Sequence, residues 1–529
     1  MQYCDWSYLL LFLPIVMIIY SVVPKKKRYI FLFLVGLIFF YLISETLIVY
    51  LFITIFITYG IGLWLKKLND AEEKNIENLE KEEKKKVRET FNKKKRMILF
   101  LGIALELTML CMTKYLSFMC LNVNNLLELF HASFRIKEIK IFAPIGISFY
   151  TLQSISYMVD VYRLKFEPNN NILKVGLYLS FFPQIMEGPI SRYDDVKDNL
   201  FTGENLKYQN ICFGTQRIMY GFIKKMVVAD RLNSTVALIF NNYSNYNGGI
   251  IFIGAILYTI QLYMDFSGIM DIVIGSGEIF NVKLPENFKQ PFFSSNISDF
   301  WSRWHITLGT WFKDYIFYPI SLSKFSRKMT SSLRKKIGNH FGPLAAGALA
   351  LFAVWFSNGL WHGAGYSFLF FGMYHFVLIL LGNIFSPVIK KFYEFTKIDK
   401  DKLLFKSIRI IKTTIIVIIG ELFFRASTLT DGINMFKLIV SNFSLQGLTD
   451  GTLLKIGLDG KDYIIIGVTL LIVFVIGVLK EKGVYIREEV SKKPLVVRWC
   501  IYYMLILYGL IFGAYLGPYT PIDPMYASF

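Results

Sequence analysis

The sequence lacks most of what a soluble enzyme uses to build a reactive centre. Its 529 residues include only five cysteines and five histidines. Cys4, Cys111, Cys120, Cys212 and Cys500 form no CxxC and no metal-ligand spacing. That excludes a zinc site and a disulfide framework and leaves small core residues. No HExxH, P-loop, GxSxG or paired-carboxylate motif occurs, so metalloprotease, nucleotide-hydrolase and serine-hydrolase readings have no footing, and no metal site is expected. Charge is absent for long distances: residues 341–387 contain no Lys, Arg, Asp or Glu. A run of that length can cross a bilayer twice.

What is present is apolar. The chain is 54% hydrophobic and 17% aromatic, with mean hydropathy +0.45. Apolar runs recur near 6–23, 29–43, 46–65, 97–121, 141–160, 211–240, 250–274, 343–357, 361–384, 408–427, 463–480 and 498–517. The expected class is an all-α polytopic membrane protein forming one domain, with about 11–13 membrane helices plus re-entrant and interfacial pieces. Its parts are N-terminal spans over 1–65, a charged arm over 66–96, a core over 97–430 and C-terminal spans over 431–529.

The net charge of +19 would suggest nucleic acid in a soluble chain. Here the basic residues lie between apolar runs, where the positive-inside rule accounts for them. No nucleic-acid module is visible, and membrane lipids are the expected surroundings. Lys25-Lys26-Lys27-Arg28 follows the first run, and no basic residue precedes it. An uncleaved first span with its N-terminus outside is therefore expected. Segment 66–96 holds twelve Lys/Arg and eight Asp/Glu and reads as a solvated, helical cytoplasmic arm. Loops at 321–340 (six basic residues, no acid), 388–412 (eight against three) and 480–498 (six against three) are basic too. Placing them all inside puts both termini outside a plasma membrane.

Two stretches do not read as plain spans. Residues 174–193 carry Pro183, Gly188, Pro189 and Glu187 within an apolar pattern. Broken backbone at that depth needs protein or a water-filled cavity around it, so a re-entrant segment is expected. Residues 285–320 mix prolines, aromatics and charges. They suggest interfacial helices, with Trp301, Trp304 and Trp311 as headgroup-level anchors.

Two histidines stand beside tryptophan: His305 in Trp304-His305-Ile306-Thr307, and His362 in Leu360-Trp361-His362-Gly363-Ala364-Gly365. An imidazole takes and returns a proton near neutral pH. Gly359, Gly363, Ala364 and Gly365 would leave room for a substrate close to the backbone. Acyl transfer fits: an alcohol attacks a thioester with His362 as base. Asn358, one helical turn earlier, would orient His362 or polarise a carbonyl. His305 is either a second catalytic group or a clamp for the interfacial helix. Asp265 and Asp271 are six apart on an apolar helix; either lines a polar cavity or an interface, or pairs with Lys or Arg. Trp361, Trp304, Arg303 and Asp314 complete the candidate substrate-binding or supporting set. Arg334, Lys335 and Lys336 would steer an anionic donor or serve only as topology signals.

Several motifs, in order, carry a family resemblance. They are Tyr178-Leu-Ser-Phe-Phe-Pro-Gln184 with Gly188-Pro-Ile-Ser-Arg-Tyr193, Met264-Asp-Phe-Ser-Gly268, Glu286-Asn-Phe288, and Asp299-Phe-Trp-Ser-Arg-Trp-His-Ile-Thr-Leu308. Trp311-Phe-Lys-Asp-Tyr315, Gly359-Leu-Trp-His-Gly363 and Phe424-Arg-Ala426 continue the series. The chain resembles the bacterial membrane-bound O-acyltransferases, in the alginate O-acetylase branch. The resemblance implies a multi-helix body with opposed funnels, His362 as the catalytic histidine and His305 as the second functional one. It also implies a cytoplasmic acyl thioester, acetyl-coenzyme A or an acyl carrier protein, with no tightly bound cofactor. A secreted or membrane-anchored SGNH-type partner, and an acyl carrier protein where that is the donor, are the implied protein partners. Asn358 stands where many relatives carry Ser, and the end at 521–529 only loosely resembles the family's aromatic tail.

Three functions follow. The first is movement of an acyl group, in the first instance acetyl, from a cytoplasmic thioester across the membrane toward an extracytoplasmic polysaccharide hydroxyl. D-alanyl transfer to teichoic acid from a carrier-protein thioester is the second. A transporter or flippase, suggested by broken helices and intramembrane Asp residues, is the third.

Overall fold

The computed structural model describes residues 1–132, 134–137, 139, 141–515, 519, 521 and 522. The end of the 498–517 run and nearly all of the 521–529 tail lie outside them, as does the placement of the C-terminus. Among the described residues the chain is helical and forms no strand. Among the described residues seven helical stretches are long and apolar enough to cross a membrane: Lys25–Ile76, Lys81–Lys114, Gly248–Ile279, Lys324–His362, Tyr366–Thr396, Gly460–Glu481 and Leu495–Phe512. The chain is thus a multi-pass membrane protein. Other expected spans are shorter, as at Ile147–Tyr162, or carry buried charges, as across 211–240. Contacts divide the described chain into two compact units, Met1–Thr215 with Val273–Pro285, and Gln216–Ile272 with the described residues from Glu286 onward.

In the first unit the helix Ile48–Ile76 packs on Lys81–Lys114 and Ile147–Tyr162. The 66–96 arm is the charged continuation of the first two, as its i,i+4 charge pattern suggests. Lys95 reaches Glu72 at 2.5 Å and joins them. Deeper in, Glu106 is wholly buried. It accepts hydrogen bonds from Ser154 Oγ (2.9 Å) and Thr54 Oγ1 (3.3 Å), which offset part of the cost of taking a carboxyl out of water.

The 174–193 segment behaves as expected. Helix Ile172–Ser180 ends before Pro183, and every residue from Val175 to Tyr193 is buried. Its broken backbone is bonded by its own side chains and by Tyr3, whose OH donates to the Phe182 carbonyl (2.9 Å) and accepts from the Met186 amide (3.2 Å). Gln184 Nε2 donates to the Tyr178 carbonyl (3.1 Å), Ser191 Oγ to Gln184 Oε1 (3.0 Å) and Tyr178 OH to the Ser191 carbonyl (2.9 Å). Gly188 is required there, because a Cβ would stand 2.3 Å from Gln184 Cα.

The second unit is organised by buried charge. Its helix up to Ile223 runs through a π-helical turn, Lys224–Ala229, into Asp230–Asn241. The widened turn places two consecutive lysines in the interior, an arrangement often found at functional sites. Lys224 Nζ lies 2.5 Å from Asp271, which also takes Arg217 at 2.9 Å. Lys225 Nζ lies 2.8 Å from both Asp230 and Asp265. Of the two readings open for Asp265 and Asp271, the structure holds the pairing one. The helices come this close because Gly221 has no side chain: a Cβ there would stand 2.3 Å from the Gly268 carbonyl oxygen.

The basic stretch 321–340 is mostly helix instead of loop. Ser323 caps it by accepting from the Ser326 amide (3.1 Å), and the stretch Lys324–His362 is two helices joined at Gly338, whose backbone (φ 86°, ψ 175°) breaks the helical geometry. Nothing before Gly338 breaks helical geometry, so Arg334, Lys335 and Lys336 stand exposed on a helix. Most of 388–412 is likewise taken up by Tyr366–Thr396 and Leu403–Arg425. The region 285–320 does form short helices, Ile297–Arg303 and Ile306–Phe312. The tryptophans, however, are not headgroup anchors. Trp304 and Trp311 are buried, and Trp301 lies edge-on to Trp355 at 4.9 Å. Ring–ring packing within the unit outweighs exposure at an interface.

Removing one member of a buried ion cluster leaves the rest uncompensated, at about 3–5 kcal/mol. Lys225→Met should therefore lower the melting temperature in detergent sharply, and adding Asp265→Asn should recover part of the loss. Equal melting of wild type and Lys225→Met would mean that the cluster contributes nothing to stability.

Candidate active site

His362 ends the helical stretch Lys324–His362, and the next helix begins at Tyr366. The glycines of this turn do a different job from the one their sequence suggests. A Cβ on Gly363 would meet the Phe368 ring at 2.3 Å, and one on Gly359 the Phe368 carbonyl at 2.6 Å. They let two helices touch, and the space expected for substrate beside the backbone is taken by Phe368. The buried His362 imidazole lies edge-on to Phe424 (5.1 Å between ring centres), Phe371 (6.0 Å) and Trp361 (5.0 Å).

His305 comes to the same place from a different part of the chain. A short antiparallel clamp fixes it: Phe288 bridges Trp304, Lys289 N–H donates to Arg303 C=O (2.9 Å), and Ile306 N–H donates to Asn287 C=O (3.0 Å). His305 itself takes a left-handed φ of 46°, which a residue with a Cβ adopts only when its surroundings hold it, at about 1–3 kcal/mol. Its ring lies against Phe266 (4.8 Å) and Trp361 (5.5 Å). Both histidines therefore lie against one indole. Burial pushes the His305 imidazole down to about 3, so it stays neutral across the physiological range. Its Nε2 is buried and meets no hydrogen-bonding partner among the described residues.

The other sequence candidates divide. Trp361 lies against both histidine rings, whereas Trp304 packs on Tyr263, Phe288 and Phe300. Asn358 is buried one turn before His362, and its Oδ1 has no partner among the described residues. Asp265 is held by Lys225. Arg303 pairs with Asp299 (2.9 Å) and Glu481 (2.5 Å), a tether between elements, not a group aimed at the histidines. Asp314 lies on the π-helical turn Lys313–Phe317 and is half-buried. No group of three or more His, Cys, Asp or Glu suited to a metal ion occurs among the described residues.

Three residues escaped the sequence reading. Asn287 is wholly buried and binds the His305 turn through its side chain. His375, also wholly buried, accepts from Trp301 Nε1–H at 3.3 Å. Glu421 is 2% exposed in the same apolar core, one turn before Phe424, and its Oε2 has no partner among the described residues. The signals for the last two were present: a further histidine in the charge-free 341–387 run, and a lone acid in an expected span.

A helical membrane body with two histidines buried around one indole defines a class able to handle protons away from water. Comparison with known proteins shows what the chain is similar to. Residues 168–333 match MBOAT, the membrane-bound O-acyltransferase family, which bears out the resemblance carried by the motifs from Tyr178 to Tyr315. The chain is similar to a protein named "Probable alginate O-acetylase AlgI" in Pseudomonas putida, 32% identical over 343 residues, which is 65% of this chain and 64% of that one. It is similar to the peptidoglycan O-acetyltransferase of Helicobacter pylori, 30% identical over 328 residues, covering 57% and 58%. The teichoic acid D-alanyltransferase of Bacillus subtilis is 30% identical over 252 residues, covering 47% and 61%. The chain thus spans at most 64% of the length of these relatives.

An unpaired carboxyl in an apolar core costs stability, on the order of 1–3 kcal/mol. Glu421→Leu should therefore melt higher than wild type in detergent. A lower melting point would mean that Glu421 is held by a partner and belongs to the scaffold.

Proposed function

We propose that this chain is an O-acyltransferase that moves an acyl group, in the first instance acetyl, from a cytoplasmic thioester across the membrane toward a hydroxyl of an extracytoplasmic polysaccharide. The observation that carries the reading is the convergence of His305 and His362 on Trp361 inside an apolar, aromatic core. Family and relatives support it. His362 is the general base. Its imidazole takes the proton of the acceptor hydroxyl as the oxygen attacks the thioester carbonyl. The tetrahedral intermediate then collapses, the C–S bond breaks, and the thiolate leaves with the proton from the imidazolium. Aromatic walls exclude water that would otherwise hydrolyse the thioester.

The donor is acetyl-coenzyme A or an acyl carrier protein. An SGNH-type partner outside the membrane would complete transfer, and both termini face outside the plasma membrane. D-alanyl transfer remains a second reading, favoured by the Bacillus relative. The transporter reading has less behind it, since Asp265 and Asp271 are both occupied by lysines.

His362→Ala should lower acyl transfer by ~100- to 10,000-fold in purified protein that is still folded; near wild-type turnover removes His362 as the base. The donor is anionic in either case, and the exposed helix face with Arg334, Lys335 and Lys336 would attract it within the ~8–10 Å reach of screened charge. Reversing these three charges should weaken apparent donor affinity and flatten its salt dependence while leaving maximal turnover near normal. Unchanged affinity and salt dependence in a correctly inserted protein would leave them as topology signals only.

A further inference from the structure

Asn287 spends its polar atoms on the turn that carries His305. Its carbonyl accepts the Ile306 amide at 3.0 Å. Its side-chain Oδ1 accepts from the Thr307 amide (3.1 Å) and Thr307 Oγ1 (2.9 Å), and lies 3.2 Å from His305 Nδ1. Nδ2 faces Met270 Sδ at 3.2 Å. A backbone amide can only donate, so the atom facing Thr307 is the amide oxygen and not the nitrogen. That oxygen can only accept, so His305 Nδ1 carries the hydrogen. In a neutral imidazole the other nitrogen, Nε2, then holds a lone pair.

His375 provides the contrast. Trp301 Nε1–H, which can only donate, points at its Nδ1, and so its hydrogen sits on Nε2. Two buried histidines of one unit are held in opposite tautomers by what faces Nδ1. At His305 the free lone pair stands in the wall shared with Trp361 and has no donor among the described residues. A buried acceptor without a donor calls for an explanation, and a substrate hydroxyl supplies one.

We propose that Asn287 is a positioning residue for acyl transfer: it fixes His305 as the Nδ1–H tautomer, so that the Nε2 lone pair receives the hydrogen bond of an acceptor hydroxyl next to the one that reacts. The inference rests on the acyltransferase reading above. No proton moves to His305, because burial leaves it too weak a base. It holds the acceptor through that neighbouring hydroxyl, and His362 takes the proton of the one that attacks.

The test uses full-length protein in nanodiscs. Nitrogen NMR of isotope-labelled histidine, with the His305 signals assigned by their loss in His305→Gln, reads the tautomer. Steady-state kinetics use acetyl-coenzyme A with fragments of alginate, peptidoglycan or teichoic acid, whichever the wild type acylates. The wild type should show a protonated Nδ1 and a lone-pair Nε2. Asn287→Ala should mix the tautomers and lower kcat roughly 10- to 100-fold, with the thioester KM within about twofold. Asn287→Asp, whose carboxylate accepts from the same donors, should keep Nδ1 protonated and restore much of the turnover. A wild-type His305 protonated on Nε2 overturns the proposal, even where Asn287→Ala fails to fold. So does Asn287→Ala that melts lower but keeps wild-type kcat. A wild type that acylates nothing sinks the acyltransferase reading instead, while the NMR still decides the tautomer.

Discussion

A polar group buried among hydrocarbon must find a partner, and in this chain that requirement shapes both the scaffold and the site. Among the buried charged groups of the second unit, Lys224, Lys225, Asp230, Asp265 and Asp271 each face an opposite charge. A π-helical turn and a close glycine contact between helices make those pairings possible. The first unit follows the same rule with neutral donors, at Glu106 and in the 174–193 segment.

Against that background the exceptions stand out. Buried polar atoms without partners among the described residues include His305 Nε2, Asn358 Oδ1, His375 Nε2 and Glu421 Oε2 in the second unit, and Tyr150 OH, Thr151 Oγ1 and Ser180 Oγ in the first. His305 and His362 share Trp361, and His362 and His375 share Phe371. The three imidazoles thus share one aromatic cluster, in which His305 Nε2 and His375 Nε2 are left open. Such a cluster suits a substrate that brings its own donors and acceptors.

Much of this was legible in the sequence. Hydropathy and charge-free runs marked the membrane class, because a bilayer imposes length and polarity on every span. Pro183, Gly188 and Pro189 marked the broken, covered segment. Tryptophan beside histidine marked both imidazoles. Partners were not legible. Lys224 and Lys225 find Asp271 and Asp265 some forty residues away, and nothing local announces that pairing. Asn287 reaches His305 across eighteen residues through a backbone clamp. The glycines around His362 were misread for a similar reason: whether a small residue opens space or lets a helix in depends on the neighbour, here Phe368. Basic stretches read as loops were helical because charge alone does not end a helix.

The central claim is that this chain itself breaks a thioester in favour of a hydroxyl, and release of free thiol by the purified protein in liposomes tests it most directly. With acetyl-coenzyme A and a hydroxyl-bearing polysaccharide fragment both supplied, thiol should appear in step with ester formed, and omitting the fragment should suppress it. No thiol above protein-free liposomes with acetyl-coenzyme A, or with acetyl or D-alanyl carrier-protein thioesters, for any of the three polymer classes, would contradict the account.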